Sequence, residues 1–245
     1  LVVNFRKASK TKQLFFKSWA DAFYNPMFFT RKGLHQSISL LAPRLEGQIV
    51  DLGCGTKPYR RLFTKASEYI GMDIEVSGNF DNRSHIDVFY DGHTFPFAND
   101  SIDNIFSSET FEHIFNVEEV LQEIHRVLKK DGLLLATCPF LWPEHEVPYD
   151  YARYTSFAIA DMLKRNGFEI VHYEKTGNFF TAVMQMQALY LYYFINRIPV
   201  VAPIFFILFI TPLFLIGSIL NLILPSFMKR KDLYLNNVFI AKKIA

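Results

Sequence analysis

The chain is poor in cysteine and tryptophan, and two long stretches carry no charge at all. Two cysteines among 245 residues, Cys54 and Cys138, exclude a disulfide framework and a paired-cysteine zinc site, and they fit a reducing compartment. No Cys-x-x-x-Cys-x-x-Cys cluster is present to hold an iron–sulfur centre for radical chemistry. No carboxylate and histidine set has metal-ligand spacing, so metal-independent chemistry is expected. A third glycine is missing where Gly53 and Gly55 begin a turn: Pro58 stands there, which breaks the dinucleotide fingerprint Gly-x-Gly-x-x-Gly and argues against a nicotinamide-dependent reductase. Between Lys175 and Arg197, and again from Ile198 to Met228, there is no Asp, Glu, Lys or Arg.

What is present is an ordered series of strands and turns. Gln48 to Leu52 is short and apolar, as a central parallel strand should be. Gly53 and Gly55 can take positive φ and bring bare backbone to a ligand. Pro58 suits the first turn of a helix, expected through Tyr59, Arg60, Leu62 and Phe63. A second strand, Glu68 to Asp73, closes on an acid 18 residues after Gly55, a position from which a carboxylate can accept both hydroxyls of a ribose. A third strand is expected near His85 to Phe89, and a fourth leads to Ser107 and Ser108. An amphipathic helix spans Asn116 to Lys130, with Val120, Leu121, Ile124, Val127 and Leu128 on one face. A fifth strand covers Leu133 to Cys138 and a sixth Gly167 to Tyr173.

The set Asp51-Leu52-Gly53-Cys54-Gly55, Asp73, Phe95-Pro96-Phe97 with Asp103, Glu112-His113 and Leu128-Lys129-Lys130-Asp131-Gly132-Leu133 resembles the class I S-adenosylmethionine (SAM)-dependent methyltransferases, over about residues 47–177. The resemblance implies an α/β fold: a Rossmann-like, seven-stranded sheet whose last strand, here Leu233 to Lys243, runs antiparallel. It implies SAM as cofactor. Asp51, Gly53, Cys54 and Gly55 would hold its amino-acid end, Asp73 its ribose, and Asp91 with Gly92 would lie by the adenine. Ser107 and Ser108 would face the methyl-donating side. Cys54 reads as a small filler of the turn, and Asp91-Gly92 reads equally well as an ordinary turn.

Beyond the fifth strand, residues 142–155 pack His, acids, Arg and aromatics into one loop. Asp150-Tyr151-x-Arg153-Tyr154-Thr155 resembles a segment of methyltransferases from polysaccharide-assembly gene clusters, where it helps form the acceptor pocket. His145 is the first candidate for a general base and His113 the second, because imidazole titrates near neutral pH. Arg153 is placed either to bind an anionic acceptor or to pair with Asp150. Thr155 can cap the next helix. An Asn/Asp-Pro-Pro-aromatic motif is absent after the fourth strand, which argues against amide or adenine nitrogen as acceptor.

The uncharged run from 198 to 228 is long enough to span a bilayer, although Pro203, Pro212 and Pro225 would kink it. It lies between the sixth and seventh strands, so both its ends must stay on one side of a membrane. A two-helix hairpin, a re-entrant loop or interfacial helices would satisfy this. Both ends of the chain are basic: residues 1–44 hold eight Lys/Arg against one acid, and 229–245 hold five against one. The remainder is acidic. This polarity suggests contact with membrane lipid, not nucleic acid. Lys229-Arg230-Lys231 fits the cytoplasmic face.

Four segments are expected: a basic arm (1–46), a SAM-binding core (47–178), an apolar membrane-associating insertion (179–228), and a basic segment with the final strand (229–245). The expected function is methylation, at the cytoplasmic membrane face, of a lipid-linked saccharide or other amphipathic small molecule, with membrane glycan-assembly enzymes as partners. Methylation of a quinone or isoprenoid precursor is the second enzymatic reading. A non-catalytic scaffold of SAM-binding fold is the third.

Overall fold

The computed structural model describes residues 18–74, 84–198 and 201–244. Seven strands form one sheet: β1 (Gly47–Leu52), β2 (Ala66–Ile74), β3 (Val88–Tyr90), β4 (Ile102–Ser108), β5 (Leu128–Pro139), β6 (Phe168–Lys175) and β7 (Asn236–Lys243). Their spatial order is β3-β2-β1-β4-β5-β7-β6. The first five are parallel. Leu52 stands opposite both Met72 and Ser107, and Ser108 opposite Thr137. The carboxyl ends of the central strands therefore finish level, and the loops that follow them emerge along one edge. Ligands bind at that edge in open α/β sheets.

The last strand is antiparallel. Ile244 N donates to Gly167 O at one end of the β6–β7 pair, and Thr176 N donates to Asn236 O at the other. The central strands carry side chains that are buried on both faces, among them Ile49, Val50, Ile105, Phe106, Leu134 and Leu135. Helix α2 (Val117–Val127) seals one face with Val120, Leu121, Ile124 and Val127. Helix α3 (Ser156–Arg165) adds Ile159 and Leu163, and the Thr155 hydroxyl accepts from Ala158 N at 3.2 Å as its cap.

The chain divides into two compact units. Among the described residues, one holds the sheet with α2 and α3, over 37–74, 84–174 and 237–244, and the other groups 18–36 with 175–198 and 201–236. In the second unit, helix α4 (Phe179–Ile195) packs with a continuous helix Ala202–Ile223, and Phe28 and Phe29 at the start of helix α1 (Phe28–Leu41) meet Phe214 at 5.3 and 5.2 Å between ring centroids. Buried Gln185 binds this assembly together. Its Oε1 accepts from Phe29 N (3.0 Å) and its Nε2 donates to Pro26 O (2.7 Å). Residues from 18 onward thus pack with the apolar segment, a partnership that the separate N-terminal arm of the sequence reading does not contain. Residues 1–17 of that arm lie outside the described residues.

Three local expectations differ. Leu128 to Lys130, expected to end the helix from Asn116, already form the start of β5. The helix expected through Tyr59 to Phe63 is a single 3₁₀ turn, Arg60–Leu62, because β2 begins only four residues after Leu62. The third strand starts at Val88, not His85.

Asn237, fully buried, ties β7 to its surroundings. Its Nδ2 donates to Tyr154 O (2.9 Å) and Cys138 O (3.5 Å), and Tyr173 Oη donates to its Oδ1. Leucine has the same branching in a larger side chain and would leave these groups unsatisfied. Asn237→Leu is expected to destabilise the fold by about 2–4 kcal/mol, read as a lowered urea midpoint with unchanged slope.

Candidate active site

The turn after β1 is built on backbone. Gly53 N and Cys54 N both donate to Met72 O, at 2.8 and 3.3 Å, which fastens the turn to β2. Gly53 sits at φ +71°, and a Cβ there would lie 2.4 Å from the Thr110 side chain. Gly55, at φ +48°, faces open space: a Cβ on it would meet no atom within 4 Å. Lys57 reaches across Gly71 to form an ion pair with Asp87, and a Cβ on Gly71 would lie 2.1 Å from the Lys57 chain. Asp87 also accepts from Gly71 N at 2.7 Å. The sequence reading missed this clamp. A glycine inside a strand pattern signals close approach by another group, and Gly71 carried that signal.

Two carboxyl groups flank the turn. Asp51 is 3 % exposed and accepts one hydrogen bond, 2.7 Å, from Tyr69 Oη. Burial pushes its pKa up to about 7, against the opposing pull of that hydrogen bond. Asp73, at the end of β2, accepts from Gly55 N (3.2 Å) and Ile74 N (2.8 Å), and burial raises it as well. Cys54 is buried with its thiol pushed far up by desolvation, so it fills the turn and is no nucleophile.

Other expected cofactor residues are engaged differently. Asp91 is an exposed turn acid whose Oδ1 accepts from His93 N and Thr94 N at 2.8 and 2.7 Å, with Gly92 at φ +86° beside it. Ser107 does not face the donor side. It is fully buried, and its hydroxyl donates to Leu52 O at 3.1 Å, joining β4 to β1. Ser108 Oγ pairs with Thr137 Oγ1 at 3.0 Å, which joins β4 to β5.

The loop after β5 is organised by Arg153. All five guanidinium N–H groups have acceptors: Nε donates to Trp142 O, Nη1 to Asp150 Oδ1 and Ala152 O, and Nη2 to Pro143 O and Asp150 Oδ2. No donor remains for an acceptor anion. The ion pair is the role this residue plays. Asp150 is buried, which alone would raise its pKa, but the Arg153 fork outweighs that and holds it at about 2. Asp150 Oδ2 also accepts from His145 N (2.9 Å) and faces His145 Nδ1 (3.2 Å). Asp150 and Arg153 are therefore positioning residues for His145.

His113 comes from the loop after β4, and its Nδ1 lies 2.7 Å from Tyr149 O. The two imidazoles meet edge to face, with centroids 4.7 Å apart. Burial, then the neighbouring His113, lowers the pKa of His145, which keeps it neutral near pH 7. Beneath both rings lies Glu112, fully buried. The sequence reading gave Glu112 no chemical role. Phe115, Tyr149 and Tyr151 expose their rings around this group.

Comparison with known proteins decides what this edge belongs to. Residues 50–136 match the sequence family described as a methyltransferase domain. The uncharacterized methyltransferase YcgJ of Bacillus subtilis is 30 % identical over 117 residues, 44 % of each chain. A SAM-dependent methyltransferase from Mesorhizobium loti superposes with a TM-score of 0.54 at 16 % identity, covering 88 % of this chain and all of the other. Phosphoethanolamine N-methyltransferase 2 of Haemonchus contortus, solved with S-adenosyl-L-methionine, gives 0.51 at 17 % identity, covering 94 % of this chain and 61 % of the other. Residues 50–136 thus match a methyltransferase domain, and the chain has the fold of the class I SAM-dependent methyltransferases. It spans less than half the length of the curated relatives it matches.

SAM is the cofactor of methyltransferases with this fold, and the residues present fit it. Gly55 offers an uncovered backbone face. Asp51 has an underused carboxyl group at one end of the turn, and Asp73 a second at the end of β2.

As the partner of the SAM ammonium group, Asp51 would make cofactor binding pH-dependent. With a pKa near 7 it is mostly neutral below that pH, and only its ionised form pairs with an ammonium group. SAM affinity is expected to rise through pH 7 and to fall about tenfold per unit below it, with proton release detectable by calorimetry in buffers of different ionisation enthalpy. Asp51→Asn should bind weakly and flatten the profile. In the ligand-free chain the sign reverses. A raised carboxyl pKa favours the fold fully below about pH 4, and that contribution is lost as pH rises through 7.

Proposed function

We propose that this chain methylates a hydroxyl group of a lipid-linked saccharide, or of a similar amphipathic acceptor, at the cytoplasmic face of a membrane. The observation that carries the reading is a neutral histidine, aimed by a buried acid, on the same strand-end edge as the glycine turn. Bound SAM supplies an electrophilic methyl group on a sulfonium centre. Asp51 would pair with its ammonium group, Asp73 would accept the ribose hydroxyls, and the Gly53–Gly55 backbone would approach the donor closely.

His145 would act on the acceptor. Its Nδ1–H is directed at Asp150, so Nε2 is left with a lone pair. A hydroxyl brought beside Nε2 can lose its proton there as the oxygen attacks in line. Arg153 keeps Asp150 ionised and the ring in place. Phe115, Tyr149 and Tyr151 give the acceptor an amphipathic rim of aromatic faces.

The membrane part of the proposal rests on the second unit. Helix Ala202–Ile223 has 22 residues and a mean hydropathy of 2.4, and only 28 % of its most apolar window is buried. At about 1.5 Å per residue it matches a hydrocarbon core of about 30 Å. Its inner face is Phe206, Ile210, Phe214 and Gly217, while Ile204, Ile207, Leu208, Ile216, Ile219 and Leu222 are exposed at helical spacing. The two ends of the apolar segment meet: Phe179 N donates to Arg230 O at 2.8 Å, and Lys175 Nζ to Lys231 O at 3.1 Å. A hairpin that leaves and returns at one face supports the proposed side, with its basic cluster at the base. Trp19, Phe23 and Tyr24, also exposed, suit the interface.

Two measurements test the reading. His145→Ala is expected to lower turnover at least about 10²-fold while SAM affinity is unchanged. Near-normal turnover would remove His145 from the reaction. The intact chain should float with anionic vesicles, whereas Leu208→Asp with Ile216→Asp should not, since a charge at mid-bilayer costs about 2.5–3.5 kcal/mol. A wholly soluble intact chain, at low salt without detergent, would defeat the membrane assignment.

A further inference from the structure

Glu112 is fully buried, and neither of its carboxyl oxygens has a hydrogen-bond partner. A buried carboxylate without donors is strongly disfavoured unless it takes up a proton or something else supplies positive charge. Its Oε1 lies 3.8 Å from His113 Nε2 and 3.9 Å from His145 Nε2. These separations are too long for hydrogen bonds, yet one possible ligand atom from each of the three residues lies within 4.8 Å of the others.

The outer nitrogen of each ring is already held. His113 Nδ1 is 2.7 Å from the Tyr149 carbonyl, which can only accept. His145 Nδ1 is 3.2 Å from Asp150 Oδ2, a carboxylate ionised by Arg153. The Tyr149 carbonyl places the His113 proton on Nδ1; for His145 the nearer partner, Asp150 Oδ2 at 3.2 Å, favours the same tautomer over Arg153 Nη2 at 3.4 Å, and each Nε2 then presents a lone pair on the Glu112 side. Histidines that bind metals are oriented in this way, by a carbonyl or a carboxylate behind the ring.

We propose that Glu112, His113 and His145 bind one divalent first-row transition ion. Two imidazoles and one carboxylate suit zinc, manganese, iron or cobalt better than magnesium or calcium, which prefer oxygen ligands throughout. Ligand atoms around an ion with bonds of about 2.1 Å lie about 3.0–3.4 Å apart. The three side chains would each close inward by less than about 1 Å. Three protein ligands leave coordination positions for an outside oxygen. One carboxylate leaves the ion with net positive charge, which favours an anionic oxygen there.

This deepens the methyl-transfer reading, on which the ion's role rests although its binding does not. Such an ion would lower the pKa of an acceptor hydroxyl; His145 would then be a ligand and not the base, and the hydroxyl proton would pass to solvent water. Sequence spacing concealed the set, because Glu112-His113 and His145 come from two loops, 32 residues apart.

The full chain, purified in detergent and stripped with a chelator, is titrated with Co²⁺ and with Zn²⁺. Elemental analysis then counts the retained metal. One equivalent per chain is expected, with visible cobalt absorption bands. Glu112→Gln and His145→Gln should each weaken binding by about a hundredfold or more, while melting temperature without metal and SAM affinity are retained. Two variants guard against one failing to fold. Uptake below one-tenth of an equivalent by the intact chain, or equal uptake by a folded variant, would overturn the proposal. Neither readout requires methyl transfer, so a chain that binds the ion but methylates nothing defeats the catalytic reading alone.

Discussion

A carboxyl group kept from water with a single donor is the constraint on which this site depends. Asp51 sits on a central strand, where both faces are covered, and only Tyr69 offers it a hydrogen bond. The strand cannot expose it, because β1 is hydrogen-bonded to β2 and β4 along its length. The acid is left half in want of a cation. The turn that follows is bare backbone, held by Met72 O and Thr110. A ligand with an ammonium group and a flat, polar body meets both conditions at once. Glu112 repeats the theme one strand away, its carboxyl oxygens without a hydrogen-bond partner among the described residues. Both acids keep the strand-end edge of the sheet poised for positive charge.

The level ends of β1, β4 and β5 turn these separate residues into one site. The same register puts Gly53 beside Thr110, and Ser108 beside Thr137. Ser107 and Ser108, which the sequence reading assigned to the donor, are the fastenings that keep the edge level. Arg153 makes the same kind of contribution in the acceptor loop. With every N–H engaged, it shapes the loop and fixes Asp150, and through Asp150 the His145 ring.

Much of this was legible in the residues. Apolar runs bounded by glycines and acids marked the strands, and the spacing from Gly55 to Asp73 matches two residues that the fold joins by a hydrogen bond. The antiparallel return of the final strand followed from the resemblance. What stayed hidden depends on contacts across the chain. Nothing in Glu112-His113 announces that His145 will stand over the same carboxylate. Gln185 does not show from its neighbours that it will bind Phe29 N and Pro26 O. A helix after the glycine turn looked reasonable from Pro58, but the short reach to β2 left room for one 3₁₀ turn only.

The central claim is methyl transfer to an acceptor that resides in lipid. It is tested most directly by incubating the full chain with isotopically labelled SAM and a membrane extract, followed by mass spectrometry of the organic and aqueous phases. The account expects one labelled methyl on an organic-extractable species whose fragments contain sugar. Label confined to water-soluble molecules or to protein, or no label in a chain that binds SAM, would contradict it.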